Sequence, residues 1–194
     1  QDSEPEKNKL EVKDIENRFQ AIFMLPTNSF EQSFRIHVGV ARESVDRYIE
    51  NNGHLEAEDN LLGVSLQFSN VEYYVHSISQ EDGRRIKLNY EQYNAFGGGT
   101  FDGPVATLDW SEYIGVGNNH VLSLRLVRGQ ASSNAKPFEL GGNFDQFDTL
   151  AGNIGFGLSD YALRGYDGSS SKLRGTRMNL LSAEWHIPLL EVFN

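Results

Sequence analysis

The chain has 194 residues, a formal charge of −10 and no cysteine. That length makes one domain, with enough residues for a core or a barrel wall. The acidic balance excludes a phosphate-backbone reader of nucleic acid, and the missing cysteine excludes disulfides, thiolate metal sites and a thiol nucleophile. No run approaches the ~20 apolar residues of a membrane-spanning helix, but a transmembrane strand needs only ~9–11 residues of alternating polarity.

Residues 1–17 are rich in Glu, Lys and Asp and carry no secretory signal. They read as a disordered, solvated arm or loop. The barrel region is expected to fill 18–194, and the chain is expected to be a fragment of a larger barrel.

From Arg18 the period becomes two. Phe19, Ala21 and Phe23 alternate with polar neighbours, and Pro26 to Ser29 is a turn. Phe34, Ile36, Val38 and Val40 then alternate with Ser33, Arg35, His37 and Gly39, which makes a hairpin with one apolar and one polar face. Glu43 to Asp59 is charged, contains Asn51-Asn52-Gly53, and reads as a long exposed loop with room for a short helix.

Leu62, Val64, Leu66 and Phe68 resume the apolar face, as do Ile86, Leu88 and Tyr90 after the Asp82-Gly83 turn. Ala95 to Gly103 is a flexible glycine-rich loop. Ala106, Leu108 and Trp110 follow, then Leu122, Leu124 and Leu126 after Gly117-Asn118-Asn119. The loop from Ala131 to Tyr161 is long and polar, and is expected to be surface-exposed and mobile, at least in part.

These strands share an apolar face and a face carrying charges of both signs. A soluble antiparallel sandwich also alternates, with its polar face in water. Long strands with closely packed opposite charges fit better in a membrane barrel, whose aqueous lumen accepts the charges while lipid meets the apolar face. Short turns alternating with long loops agree with that fold. On this basis Ile36, Val38, Leu66, Phe68, Leu88, Leu108, Leu122 and Leu124 face lipid, and Ser123 faces the lumen.

Catalytic and metal signatures do not emerge. His37, His54, His76, His120 and His186 are scattered, with no metal-ligand spacing. No nucleophile elbow or phosphate loop occurs, and Gly97-Gly98-Gly99 lacks a following lysine and helix. Asn143, Asp145 and Asp148 lack the spacing of a calcium loop. The chain is therefore read as a non-enzyme without cofactor or metal.

The stretch from Phe138 to Pro188 carries a resemblance. It reads Phe138-Glu139-Leu140-Gly141-Gly142, then Leu163-Arg164-Gly165-Tyr166, then Leu181-Ser182-Ala183-Glu184-Trp185-His186-Ile187-Pro188. This resembles the BamA/bacterial surface antigen superfamily of outer-membrane β-barrels. The match is specific over that stretch and extends only as hairpin texture from about Arg18 to Gln130. The spacing between Gly142 and Leu163 is longer than the family's.

The resemblance implies an all-β, antiparallel transmembrane barrel, in part or whole, with an inward-folded extracellular loop. Gly141 and Gly142 would enter that loop, and Arg164, Gly165 and Tyr166 would form its tip. Glu184 on the following strand would receive the arginine. A guanidinium donates through a planar fork, so a bidentate pair with that carboxylate is the natural contact.

The implied location is a bacterial-type outer membrane, with its lipid bilayer as partner. The implied role is insertion or translocation of outer-membrane or secreted proteins. Unfolded substrates, and periplasmic or other barrel subunits, are the further partners the resemblance carries. Two alternatives stand beside it. One is a barrel that anchors, or serves as export conduit for, a fused periplasmic domain. The other is a soluble β-barrel or sandwich that binds a small ligand.

Overall fold

A computed structural model of the chain describes residues 12–49, 53–72, 80–117, 120–141, 155–163, 166 and 173–187. The described residues are all-β and dominated by one antiparallel sheet. Its strands are β1 (Val12–Asn28), β2 (Ser33–Ile49), β3 (Gly53–Ser69), β4 (Gly83–Tyr93), β5 (Gly103–Gly117) and β6 (His120–Ala131). Between β6 and the last strand lie β7 (Phe138–Leu140), β8 (Asp160–Tyr161) and β9 (Arg174–Gly175), then β10 (Arg177–His186).

The large sheet runs β1-β2-β3-β4-β5-β6-β10, so each strand pairs with its chain neighbour until β10 joins β6. The described ladder has β1 and β10 as its two edges and is not closed into a ring. A small sheet of order β8-β7-β9, parallel between β7 and β8, is built from the β6–β10 connection.

Two segments differ from the expected layout. Residues 12–17 belong to β1, where Val12 to Asn17 pair with Ile49 to Ser44. Glu43 to Asp59 forms no long loop or helix: β2 runs on to Ile49, β3 starts at Gly53, and Glu43 pairs with Asp59 and Arg42 with Asn60. Charge there suggests a loop, but charged side chains on opposed strands leave the backbone ladder intact. Each 17-residue strand of this hairpin is about 55 Å long at ~3.3 Å per residue.

The glycine-rich loop after β4 is also more ordered than expected. Asn60 brackets it, taking the Phe96 N–H at 2.9 Å and donating to the Gly97 carbonyl at 2.9 Å. Asp59 Oδ1 accepts the N–H groups of Thr100 and Phe101 at 3.1 and 3.0 Å. Gly97 and Gly98 sit at φ near +79° and +78°, the left-handed region that glycine enters without steric cost.

Candidate functional site

Polarity across the large sheet is inverted relative to an ordinary core. On β2, β3 and β4 the buried face carries His37 (0% exposed), Ser65 (1%), Lys87 (8%) and Glu91 (5%). The opposite, open face carries Val38, Val64, Leu66, Leu88 and Tyr90, all exposed. Register keeps the faces separate, because His37 opposes Ser65 and Ser65 opposes Asn89, while Val38 opposes Val64 and Val64 opposes Tyr90. Ile36, Phe68, Leu108, Leu122 and Leu124 share the outer face with them, and Ser123 lies on the inner one.

The outer apolar belt is slanted with respect to the hydrogen-bonded rows. One row runs Phe23, Val38, Val64, Tyr90, Ala106, Gln130, Arg177, starting apolar on β1 and ending charged on β10. The row Thr27, Phe34, Phe68, Ile86, Trp110, Leu126, Leu181 starts at a neutral polar residue on β1 and is apolar from β2 to β10. The belt therefore begins at Phe19 on β1 but only at Leu181 on β10, level with Thr27, which is a displacement of eight residues (27 − 19). Eight residues at ~3.4 Å against six strand spacings at ~4.8 Å give a slope of about 43°.

The inner face is lined differently at its two ends. Towards the β2–β3 turn it is apolar, with Ala41, Leu61, Tyr93, Val105, Val127 and Met178 in one buried cluster. The β6–β10 connection crosses this half as a strap, contributing Ala135, Phe138, Phe156 and Tyr161 to the same cluster. Two rings of the strap sit on glycines of the wall. Phe156 lies over Gly63 and Phe138 over Gly129, and in both places a Cβ would overlap the ring.

Polar contacts fix the strap in place. Arg18 donates to the Gly157 carbonyl at 3.1 Å and Gln20 to the Phe156 carbonyl at 3.3 Å, while the Gly157 backbone hydrogen-bonds the buried Glu91 carboxyl. Glu43, beyond the edge of the belt, takes Arg18 at 2.8 Å and Lys136 at 3.2 Å. Burial opposes ionisation of Glu43, but these two cations outweigh it and hold the carboxyl below the ordinary carboxylate range.

Towards the β1–β2 turn the inner face is polar. Arg125 makes a two-pronged contact with Asp109, at 2.6 and 3.1 Å. Gln67 meets His37 Nδ1 at 3.4 Å. Ser65, Lys87, Asn89 and Ser111 complete this buried half.

Of the residues singled out in the sequence, Gly142, Arg164, Gly165, Asn143, Asp145 and Asp148 lie outside the described residues. Gly141 follows β7 and donates its N–H to the Tyr161 carbonyl at 2.9 Å. Tyr166 is 56% exposed. Glu184 has inner-face parity, opposite Ser123, with its carboxylate 3.6 Å from His186. Its β10 neighbours Leu181 and Trp185 point outward and are exposed.

The described parts of the long connection after Ala131 are exposed at Ser133 and Asn134 but buried at Ala135, Phe138, Phe156, Gly157, Ser159 and Tyr161, more than its polarity suggests, and residues 142–154 lie outside the described residues. The signal for this lay in the strands. A glycine inside a strand marks close approach of another segment, and Gly63 and Gly129 are such glycines. Among the described residues no three His, Asp or Glu side chains gather as a metal site. No family model, curated protein or solved structure matches the chain.

Proposed function

We propose that the chain forms wall strands of an outer-membrane-type β-barrel. The observation that carries this reading is the slanted apolar belt on an open face backed by buried charge. Barrel strands tilt by about 35–45° from the membrane normal, so a horizontal lipid zone must cross their hydrogen-bonded rows at that angle. The belt's slope of about 43° is the one a bilayer requires.

On β2 the belt spans Phe34 to Val40 and on β3 Leu62 to Phe68, about 23 Å along the strand for seven residues. At a tilt of about 43° that is about 17 Å along the membrane normal, a shorter band than the ~25 Å of outer-membrane barrels. Aromatic residues border it, with Trp110 and Trp185 towards one edge and Phe19 and Tyr90 towards the other. The described residues contain no helix long and apolar enough to cross a membrane, and crossing here is by strands.

The family resemblance extends the proposal to a role in inserting or translocating other outer-membrane or secreted proteins, and to an Arg164–Glu184 contact. The strap favours the second role, a barrel that anchors a fused domain, because it fills half of the inner face instead of leaving a passage. A soluble ligand-binding sheet is the third reading.

Trp110 and Trp185, the chain's two tryptophans, both lie on the outer face. Reconstituted protein should have its fluorescence quenched by lipids brominated along their acyl chains. Fluorescence indifferent to those lipids would leave the soluble reading standing. Arginine at Leu66 should cost about 2–4 kcal/mol of stability in the membrane, against little at Ser123. For the transport role, proteoliposomes should speed the insertion of an unfolded barrel substrate; an anchor would not.

A further inference from the structure

A groove of about 330 Å³ opens on the outer face across β3 to β6. Its floor is Ala106, whose small side chain leaves a gap between its row neighbours Tyr90 and Gln130. Leu88 and Leu108 continue it into the belt, while Arg128 and Gln130 close the end at the polar boundary. One depression thus starts at a cation and runs into the apolar zone.

The cations there differ from others on this face. Arg42 and Arg84 are matched to Glu58 and Glu112 at 2.8 and 3.0 Å. Arg128 and Arg177 are exposed and pair with no acid among the described residues, in a chain of net charge −10. They flank Gln130, which is two residues from Arg128 and directly opposite Arg177, and Asn179 lies opposite Arg128. The acids Asp109 and Glu184 of the adjoining strands lie on the inner face.

We propose that this is a seat for one membrane lipid with a phosphate-bearing headgroup, a step that rests on the membrane reading above. The phosphate takes the guanidiniums of Arg128 and Arg177, whose planar forks match its oxygens. Gln130 and Asn179 supply neutral donors between them. An acyl chain lies over Ala106, between Tyr90 and Leu108. Charge complementarity at one end and continuity with the belt at the other select an amphiphile with an anionic head over a soluble anion or a peptide.

The test is native mass spectrometry of the full chain in detergent, with dioleoyl phosphatidylglycerol or dioleoylglycerol added. The wild type should retain one phosphatidylglycerol with roughly tenfold preference, equivalent to about 1.4 kcal/mol. The double change Arg128→Gln and Arg177→Gln should bring the two lipids to parity. Ala106→Phe should weaken retention of both while leaving the arginines in place. Equal retention by the wild type, or a preference that survives the arginine changes, overturns the seat. Quenching by brominated lipid, measured in parallel, separates the two levels. Quenching without lipid preference removes only the seat, and no quenching removes the membrane reading together with it.

Discussion

The two halves of the inner face are built from the same strands and solve different problems. Towards the β2–β3 turn, the wall offers Ala41, Leu61, Gly63, Val105, Val127 and Gly129, and the strap closes on it with Phe138, Phe156 and Tyr161. Towards the β1–β2 turn, the same strands offer His37, Ser65, Asn89, Asp109 and Arg125. Under the strap the wall is mainly apolar, with glycines beneath the two rings and the Glu91 carboxyl against the Gly157 backbone. Where the strap does not reach, the wall is mainly polar. His37 Nε2, Ser65 Oγ and Asn89 Oδ1 are buried there without a protein hydrogen-bond partner among the described residues, and internal water satisfies groups of this kind. The difference teaches that inner polarity follows what lies against each strand, within one alternating pattern.

The largest expected effect comes from breaking the covered half. Phe156→Ala removes a fully buried ring and should cost about 3–5 kcal/mol, read as a lower urea midpoint in detergent. Gly63→Val should match it, because the added side chain meets the same ring. A wild-type midpoint in either variant would mean that the strap is not seated on the wall.

In the polar half, Asp109→Ala removes the two-pronged acceptor of the Arg125 guanidinium, whose side chain is 21% exposed. The cost of a hydrogen bond to a charged group, about 1.5–3 kcal/mol, should be reduced here by water, placing this variant below Phe156→Ala. A larger loss than at Phe156 would reverse the contrast between the halves.

Glu43 sharpens the comparison through pH, since its ion pairs tie the strap to the hairpin. Its carboxyl is held below the ordinary range by Lys136 and Arg18 against the opposing effect of burial. A depressed carboxylate contributes stability above its unfolded pKa and loses it as pH falls through the lower folded value. Glu43→Gln should therefore lower the melting temperature at pH 7, with the gap to wild type closing in acid. A gap that persists at low pH would assign the effect to packing. The smallest effect is expected at Arg42→Ala, whose exposed pair with Glu58 should be worth under about 1 kcal/mol.

Much of the wall was legible in the sequence because alternation is local. Leu62 to Phe68 and Ile86 to Tyr90 announce their faces with no knowledge of their neighbours. The slope of the belt was not legible, since it exists only once register sets Phe23 in a row with Arg177. The seats of the strap are hard to see in the sequence for a similar reason. The connection after Ala131 is polar on average, yet its buried contacts fall on a few rings, and those rings find their seats at Gly63 and Gly129, far away in sequence. The charged hairpin was hidden by composition, which reports charge and says nothing of pairing.

A last consequence concerns which length changes the chain tolerates. Side chains alternate faces at every residue, so one residue inserted between Leu62 and Phe68 turns Ser65 and Gln67 outward and brings leucines against Lys87 and Asn89. Two residues restore the faces. Above the belt, where the β2–β3 hairpin meets solvent, neither parity nor length is held by an apolar face. Natural variation in this fold is accordingly expected to come in even steps within the belt and in any step beyond it, so that a collection of length variants would map the lipid boundary without any lipid present.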